Sequence, residues 1–501
     1  MISRLFNDQS NEVDSEAEIA DRLYPTDPNQ KWPHGAEQVK RALELTLEAL
    51  RSLQAVDERE PVRETRSPDE LTSLLNLALS EKPKNLNEVV NALTKILSHT
   101  PSTSSRHFFN QLFGGRDPAA LVGDLFATFG NQSVYTYKVA APIVLIEDVL
   151  LQKLGTYAGF ASDHSRCGGI FTPGGSLSNL AAMLCARDRF NPSWRETGGL
   201  SGRIYTSAES HYSVRKGAGI IGLGRDHVVK VGTLPDGGLD PDHLKQCIQR
   251  DLAEGLSPMM VVATAGTTVR GSFDPFDSIA TICEDYNLWM HVDGAFGGTA
   301  LLSPSLSTRM RGVNRADSLT WDAHKAMGAP LTCSVLLTRD EQACHRALSE
   351  SASYLFQGDG DLLNPGTRSL QCGRRNDALK LWSAWLYYGD HGWSKRIERQ
   401  RNLALKLAEE VKARPRLRLC EDPPYLNVCF EVVSEDGAPQ IDHRELCQKV
   451  QLNQDALVGY ATFKGSSALD EVVIRAAVIN PDITTVELRH LLDSIERVAF
   501  P

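Results

Sequence analysis

A lysine and an aspartate carry the clearest chemical signal in this sequence. Asp293 lies in His291-Val292-Asp293-Gly294-Ala295, and Lys325 closes the segment Ser318-Leu319-Thr320-Trp321-Asp322-Ala323-His324-Lys325. A lysine amine forms a Schiff base with the aldehyde of pyridoxal phosphate (PLP), and a carboxylate keeps the pyridine nitrogen protonated so that the ring accepts electrons. Singly, each residue has a plainer interpretation, as a surface lysine or a capping carboxylate. Together they predict amino-acid chemistry at Cα.

A glycine-rich turn provides a candidate site for the phosphate of such a cofactor. The segment Thr172-Pro173-Gly174-Gly175-Ser176-Leu177-Ser178-Asn179 follows a short apolar strand and opens an amphipathic helix. Glycines allow close approach of an anion, and a helix N-terminus offers free N–H groups. The spacing matches neither a dinucleotide nor a Walker loop, and a plain strand-to-helix turn is the alternative.

Two further residues are candidates for binding a ligand. His211, in Ser210-His211-Tyr212-Ser213, can stack on a planar ring or be an ordinary half-buried histidine. Arg475 lies in the apolar strand Val472-Val473-Ile474-Arg475-Ala476-Ala477 and needs an anionic partner there. A carboxylate substrate suits its fork of donors, whereas an internal ion pair is the alternative.

All of these residues except Arg475 fall on alternating strands and helices between residues 110 and 375. Predicted strands at 169–172, 203–206, 228–231, 259–264 and 288–292 alternate with helical stripes, which is typical of a mostly parallel α/β sheet. Asp293 then falls at the carboxyl end of a strand, where such sheets bind ligands. We predict a helical segment over residues 1–109, loose over 1–35 and with a helix start at Ser67-Pro68, and a large domain over 110–375. We predict a smaller α+β domain over 376–501, with a long helix over about 377–412 and strands near 426–432 and 472–478.

Composition narrows the class of protein. The 501 residues carry a formal net charge of −10, which argues against a nucleic-acid partner. No segment is apolar enough to span a membrane, and the first residues do not form a signal core. The ten cysteines form no Cys-x-x-Cys pair, so we expect reduced thiols, no metal site and a cytoplasmic location.

The order of these motifs resembles the group II PLP-dependent amino-acid decarboxylases, and most closely the cysteine sulfinate, aspartate and glutamate branch. The resemblance runs from about residue 70 to the end, and several motifs besides those above carry it: Phe108-Phe109-Asn110-Gln111-Leu112, Tyr135-Thr136-Tyr137, Ala265-Gly266-Thr267-Thr268, Leu370-Gln371-Cys372-Gly373-Arg374 and Ile479-Asn480-Pro481. It implies a PLP fold type I architecture, with a mostly parallel seven-stranded sheet in the large domain.

The resemblance also implies roles for individual residues. Lys325 would hold PLP, Asp293 would face its ring nitrogen, and His211 and Ala295 would lie on the two faces of the ring; these residues would act in catalysis or cofactor binding together with Gly174, Gly175, Ser176, Thr267, Thr320 and His324. Gln111 and Arg475 would hold the substrate carboxylate. A homodimer with active sites near the subunit interface is expected.

Two features depart from the family pattern. Relatives carry a tyrosine, linked to protonation of Cα, in the mobile loop that follows a segment like Tyr354-Leu355-Phe356-Gln357. Here the loop, residues 358–368, is shortened and contains no tyrosine. His211 or a water would therefore have to donate the proton to Cα. Lys138 also replaces an acidic residue that is usual in close relatives.

The expected reaction is α-decarboxylation of a small acidic L-amino acid to the amine and CO₂. Bulky Phe113, in Leu112-Phe113-Gly114-Gly115, is more like the cysteine sulfinate branch and favours cysteine sulfinate or aspartate over glutamate. Two alternatives remain open: decarboxylation-dependent transamination or oxidative deamination, because the loop tyrosine is missing, and a non-catalytic relative acting as a binding protein.

Overall fold

The computed structural model describes residues 36–59, 62–64, 66–79, 81–199, 201–350, 363–434, 442–463 and 471–501. The chain divides into two compact units, Met1–Ser105 and Arg106–Pro501. The predicted loose segment at residues 1–35 and residues 358–362 of the tyrosine-free loop lie outside the described residues. No helix in the described ranges is long and apolar enough to cross a bilayer.

The described part of the first unit contains three helices: α1 (Ala36–Arg59), α2 (Pro68–Leu75) and α3 (Leu86–Ser98). The predicted helix start at Ser67-Pro68 is confirmed, because Ser67 and Glu70 form a reciprocal capping box ahead of α2. The buried Arg63 guanidinium donates to the Asp57 carboxylate and to two carbonyls at the end of α3, which ties these segments together.

The second unit begins with strand β1 (Phe108–Phe109) and continues through the elements that build the large sheet and its flanking helices: α4 (Pro118–Gly130), α5 (Tyr137–Ala158), β2 (Gly168–Thr172), α6 (Gly175–Phe190), α7 (Trp194–Thr197), β3 (Arg203–Ser207), α8 (Ser213–Ile220), β4 (Val228–Val231), α9 (Pro241–Ala253), β5 (Pro258–Thr264), α10 (Phe276–Asp285), β6 (Trp289–Gly294), β7 (Ser318–Asp322), β8 (Ser334–Thr338) and α11 (Ala343–Leu348). The elements that follow are α12 (Ala378–Lys412), β9 (Leu417–Leu419), β10 (Asn427–Val432), α13 (His443–Leu452), β11 (Leu457–Phe463), β12 (Glu471–Ala477) and α14 (Thr485–Ala499).

Seven strands form the large sheet in the order β2-β8-β7-β6-β5-β3-β4. Only β8 runs antiparallel to its neighbours, so the predicted mostly parallel α/β sheet is confirmed. The central strands β5, β6 and β7 are buried along their whole length, as the apolar sequence of β5 predicts for that strand. In the register of β6 and β7, Asp293 pairs with Thr320, which sets both residues at the carboxyl edge of the sheet.

A second sheet has the order β1-β11-β12-β10-β9 and packs with the helices of the C-terminal region. The long predicted helix at 377–412 is α12, although its backbone leaves helical geometry at Gly389, where φ is +59°. The predicted strands near 426–432 and 472–478 match β10 and β12 within one residue. The domain boundaries after residues 109 and 375 stay predictions.

Candidate active site

A cavity of about 300 Å³ lies at the carboxyl edge of the large sheet. It is lined by the turn that opens α6, by the ends of β5, β6 and β7, and by residues that follow them: Pro173, Gly174, Gly175, Ser176, Leu177, Asn179, His211, Tyr212, Thr264, Gly266, Thr268, Asp293, Ala295, Phe296, Asp322, His324 and Lys325. The glycine turn, histidine, aspartate and lysine predicted from sequence are thus brought together in one place.

The glycine turn is shaped to admit an anion. Gly174 has φ +126°, a conformation that other residues rarely adopt, and no side chain caps the N-terminus of α6. A Cβ on Gly175 would lie 2.7 Å from Asp322 Oδ2. The first turn therefore offers backbone N–H groups to a ligand such as a phosphate.

Both carboxylate oxygens of Asp293 are held by hydrogen bonds. Oδ1 accepts from the Ala295 amide at 3.2 Å, and Oδ2 accepts from Asn179 Nδ2 at 2.8 Å. The second Asn179 proton goes to Ser213 Oγ at 3.0 Å, and Asn179 Oδ1 accepts from Thr320 Oγ1 at 2.8 Å. Asp293 is thereby fixed with an orientation that its strand alone would not impose.

His291 lies behind Asn179 and completes this network. The fully buried ring contacts Asn179 Oδ1 through Nε2 at 3.0 Å and Ser318 Oγ through Nδ1 at 2.8 Å. Because Asn179 Oδ1 can only accept, Nε2 carries the proton and Nδ1 accepts from the Ser318 hydroxyl. Burial lowers the pKa of His291 to about 4, so this histidine is neutral near pH 7.

His211 is oriented by the same network. Ser213 Oγ accepts from Asn179, so its own proton points to His211 Nδ1, 2.8 Å away. The Ser213 amide also donates to Nδ1, at 3.3 Å. A neutral His211 therefore carries its proton on Nε2. Burial lowers the pKa of His211, which favours this neutral form.

Lys325 also lines the cavity, and about a quarter of its side chain is exposed. Its Nζ is 3.7 Å from Asp322 Oδ2, and His324 Nε2 is 3.6 Å from the same oxygen. The amine therefore faces the cavity beside a buried carboxylate that we did not single out from sequence.

Arg475 lies next to the cavity rather than in its lining. Its Nη1 donates to the carbonyl of Thr268, a lining residue, at 3.0 Å, and its Nη2 donates to the Asn110 carbonyl. Among the described residues no carboxylate lies within ion-pair distance, and burial lowers the pKa of the guanidinium. The alternative of an internal ion pair thus finds no partner in the described part of the chain.

The remaining predicted site residues occupy different positions. Gln111 is exposed, and Phe113 is half-buried with its ring centroid 6.1 Å from that of Phe108. Thr320 and Thr267 are buried and do not line the cavity. Thr320 donates to Asn179, and Thr267 Oγ1 accepts from the Ser272 amide. Each threonine thus contacts a neighbouring residue and not the cavity itself.

Three residues of the site did not come from sequence reasoning as site residues: Asn179, Ser213 and Asp322. Asn179 and Ser213 stand at the ends of quoted motifs, but their partners are far away in the chain. One available signal was the position of Asn179 one helical turn into α6, which points a buried amide back toward the strand ends. Asp322 ends β7 as Asp293 nears the end of β6, a parallel that could have been noticed.

The family of the chain follows from comparison with known proteins. The pyridoxal-dependent decarboxylase conserved domain matches residues 68–433. The chain belongs to this family, which agrees with the fold type I architecture and with the lysine, aspartate and glycine turn of the cavity.

Two curated relatives and one solved structure show which decarboxylases the chain is similar to. The chain is 36% identical to the acidic amino acid decarboxylase GADL1 of Bos taurus, over 92% of this chain and 90% of the relative. It is 37% identical to the human cysteine sulfinic acid decarboxylase, over 87% and 91% respectively. A crystal structure of mouse CSAD superposes with a TM-score of 0.84 at 34% identity, covering 92% of this chain and 99% of that one.

The chain is therefore an amino-acid decarboxylase with PLP as cofactor. The residues of the cavity fit PLP. At Gly175, in the turn that opens α6, there is no room for a Cβ. The buried Thr264 hydroxyl at the cavity wall has no hydrogen-bond partner among the described residues. The alternative of a non-catalytic binding protein is set aside.

Proposed function

We propose that this enzyme removes the α-carboxyl group of a small acidic L-amino acid, with cysteine sulfinate or aspartate favoured over glutamate, and releases the amine and CO₂. The observation that carries the choice of an acidic substrate is Arg475, a half-buried guanidinium beside the cavity with two carbonyl partners and no described carboxylate within ion-pair distance. A cation that has lost part of its water gains most from an anionic partner, so an acidic side chain is the ligand it favours.

The chain's own residues divide the chemistry among them. When bound, PLP supplies an electron sink for the pair of electrons that the departing CO₂ leaves behind. Lys325 would supply the amine that holds it, and Asp293, fixed by Asn179 and Ala295, would keep its ring nitrogen protonated. Gly174, Gly175, Ser176 and His324 would hold its phosphate, and Ala295 and His211 would lie against its ring.

His211 is the proposed donor of the proton to Cα. Its Nδ1 accepts from Ser213, so Nε2–H is the group left for the cavity. This supports the amine as product even though residues 358–368 contain no tyrosine. Decarboxylation-dependent transamination or oxidative deamination is the second candidate, favoured by that missing tyrosine; its product would be a keto compound or aldehyde.

Substrate length is proposed to depend on Phe113. The half-buried ring lies close to Phe108, three residues beyond the Asn110 carbonyl that binds Arg475. A bulky ring there shortens the space for the side chain, which favours a four-atom acid over glutamate. Gln111 is proposed to assist in binding the substrate carboxylate.

The test of the acidic substrate is Arg475→Met. Losing the guanidinium should raise KM for cysteine sulfinate and aspartate by about a hundredfold, because a charged hydrogen bond contributes roughly 1.5–3 kcal/mol. Arg401→Met is a matched control, since Arg401 is also half-buried and donates to the Pro423 and Tyr425 carbonyls. Unchanged KM values in Arg475→Met would contradict the assignment.

We also propose that the enzyme is a homodimer. Helix α4 exposes apolar side chains at one-turn spacing, and α5 and α12, which pack near it, expose more: Val122, Leu125, Phe126, Phe129, Val139, Leu145, Val149, Leu386 and Tyr387. An apolar surface of this kind on several adjoining helices is typical of a contact with a second copy of the chain.

A further inference from the structure

Tyr212 lines the active-site cavity, and none of the roles proposed above involves it. It is 68% exposed, and its ring lies against the ring of His211, another lining residue. The two ring centroids are 4.1 Å apart, and the ring planes are inclined by 42°. Aromatic pairs usually keep their centroids roughly 4.5–7 Å apart, so these two rings meet in close contact and through their faces.

The local backbone holds both rings in this arrangement. The Ser213 hydroxyl and amide fix His211 through Nδ1, at 2.8 and 3.3 Å. Tyr212 has helical backbone angles, and its carbonyl accepts from the Lys216 amide at 3.0 Å in the first turn of α8. The contact between the rings therefore follows from the position at which α8 begins.

The protonated form of His211, which proton donation requires, is disfavoured at this position. Burial lowers the pKa of His211; the carboxylates of Asp293 and Asp322 oppose this effect, and the ammonium of Lys325 adds to it. Both hydrogen bonds that Ser213 donates to Nδ1 also favour the neutral ring. A neighbouring group that attracts positive charge therefore matters for how much of this histidine is protonated.

Two further titratable side chains near the cavity are held by other partners. β4 contributes Lys230, whose ammonium donates to the Ser210 hydroxyl at 2.8 Å. His324 lines the cavity with its Nε2 3.6 Å from Asp322 Oδ2. The uncharged ring of Tyr212 is in direct contact with the imidazole, and the negative face of an aromatic ring attracts a cation whose centre lies within roughly 6 Å.

We propose that the ring face of Tyr212 stabilises the protonated form of His211 through a cation–π contact and so supports proton transfer to Cα. The proton moves from Nε2 of the imidazolium to Cα, which leaves a neutral imidazole that regains a proton from solvent before the next turnover. Tyr212 is thus a positioning residue that acts through His211. The inference rests on the proposed function of His211 as the proton donor.

The test compares Tyr212→Leu with Tyr212→Phe in the full-length, PLP-loaded protein. Leucine keeps an apolar side chain against His211 but removes the aromatic face, whereas phenylalanine keeps that face and loses the hydroxyl. NMR titration of ring-labelled histidines, with the His211 signal identified by its loss in His211→Gln, should show the pKa of His211 lowered by about half a unit in Tyr212→Leu. The limb of the kcat profile for cysteine sulfinate that falls with rising pH should move to lower pH by the same amount. Tyr212→Phe should match wild type in both measurements.

Tyr460→Leu, at an exposed tyrosine of β11 outside the cavity lining, is the control and should change neither value. An unchanged or raised pKa of His211 in Tyr212→Leu would overturn the proposal. It would also be overturned if Tyr212→Phe behaved like Tyr212→Leu, because the hydroxyl and not the ring face would then act. Since Tyr212 is largely exposed, neither substitution opens a cavity in the core.

Failure of the underlying role of His211 gives a different result. If another group donates the proton, the pKa of His211 still falls in Tyr212→Leu, whereas the limb of the kcat profile stays in place. If His211 is the donor and Tyr212 contributes nothing, Tyr212→Leu leaves both values unchanged, whereas Ser213→Ala still moves the limb to higher pH.

Discussion

At the scale of single residues, Asn179 joins Asp293 to the serine that orients His211, two groups with proposed roles in the reaction. Its amide donates to Asp293 and Ser213 and accepts from Thr320 and His291, so all of its hydrogen-bonding capacity is used. The amide thereby orients the carboxylate and, through Ser213, the tautomer of His211. Neutral His291 keeps this network free of a second charge near pH 7.

Replacing Asn179 tests this network. Asn179→Ala should weaken PLP binding by about tenfold or more, because an unsatisfied buried carboxylate and hydroxyl cost roughly 1–3 kcal/mol. Titration of the cofactor-free protein with PLP measures the effect. Asn453→Ala, at an exposed position, is the control, and equal affinities in the two variants would refute the role of Asn179.

The tautomer of His211 has a consequence for pH dependence. A neutral imidazole that gave up its Nε2 proton would be left as an anion, so the ring that donates to Cα is the protonated one. Because burial lowers the pKa of His211, kcat should fall as the pH rises through the range below the ordinary histidine value. The Ser213 hydroxyl stabilises the neutral ring, so Ser213→Ala should raise this pKa and move this limb of the kcat profile to higher pH. A limb that stays in place would exclude His211 as the group that titrates. Ser193→Ala, in an exposed turn, should leave the profile unchanged.

At the scale of elements, the turn between β2 and α6 determines where an anion can bind. Its glycines and its helical periodicity are visible in sequence, as are the apolar strands β5 and β6. Sequence alone could not place Ser334 or Asp322 against this turn, because β8 pairs with β7 and β2 over separations that no local pattern encodes.

Helix α5 marks another limit of local reasoning. Pro142 argues against a helix there, but the backbone leaves helical geometry at Ala140, with φ −128°, so the proline interrupts little. Its buried residues then pack on the large sheet. Tertiary packing overrides the local signal in this segment.

Substitution of Gly175 tests the turn as an element. Gly175→Ala places a Cβ 2.7 Å from Asp322 Oδ2, in the turn that is predicted to bind the phosphate. It should weaken PLP binding by more than about tenfold, as a clash in a packed site costs roughly 1–3 kcal/mol. Gly373→Ala, where a Cβ would meet nothing within 4 Å, should bind normally. Normal binding by Gly175→Ala would contradict the predicted phosphate site.

At the scale of the whole molecule, the C-terminal sheet supports the cofactor cavity. Asn427 on β10 donates to the carbonyls of Thr268 and Val269, and Arg475 on β12 donates to the same Thr268 carbonyl. The two sheets of the second unit thus meet at the loop that lines the cavity. Sequence placed Arg475 on a strand, but not beside that loop.

The exposed helical surface predicts the oligomeric state. Phe126 and Phe129 of α4 are 68% and 69% exposed. The double substitution Phe126→Glu and Phe129→Glu should convert a dimer to a monomer in sedimentation equilibrium, since charges are unfavourable in an apolar interface. Val486→Glu, an exposed apolar position on α14, should remain dimeric. A wild-type monomer would refute the homodimer.

The central claim is decarboxylation of an acidic amino acid to its amine, and one product measurement tests it most directly. The PLP-loaded protein is incubated separately with cysteine sulfinate, aspartate and glutamate, while CO₂, amine and aldehyde or keto product are followed together. The account predicts CO₂ with an equal amount of amine, formed faster from cysteine sulfinate or aspartate than from glutamate. CO₂ with aldehyde, or no CO₂ from any of the three acids, would contradict it.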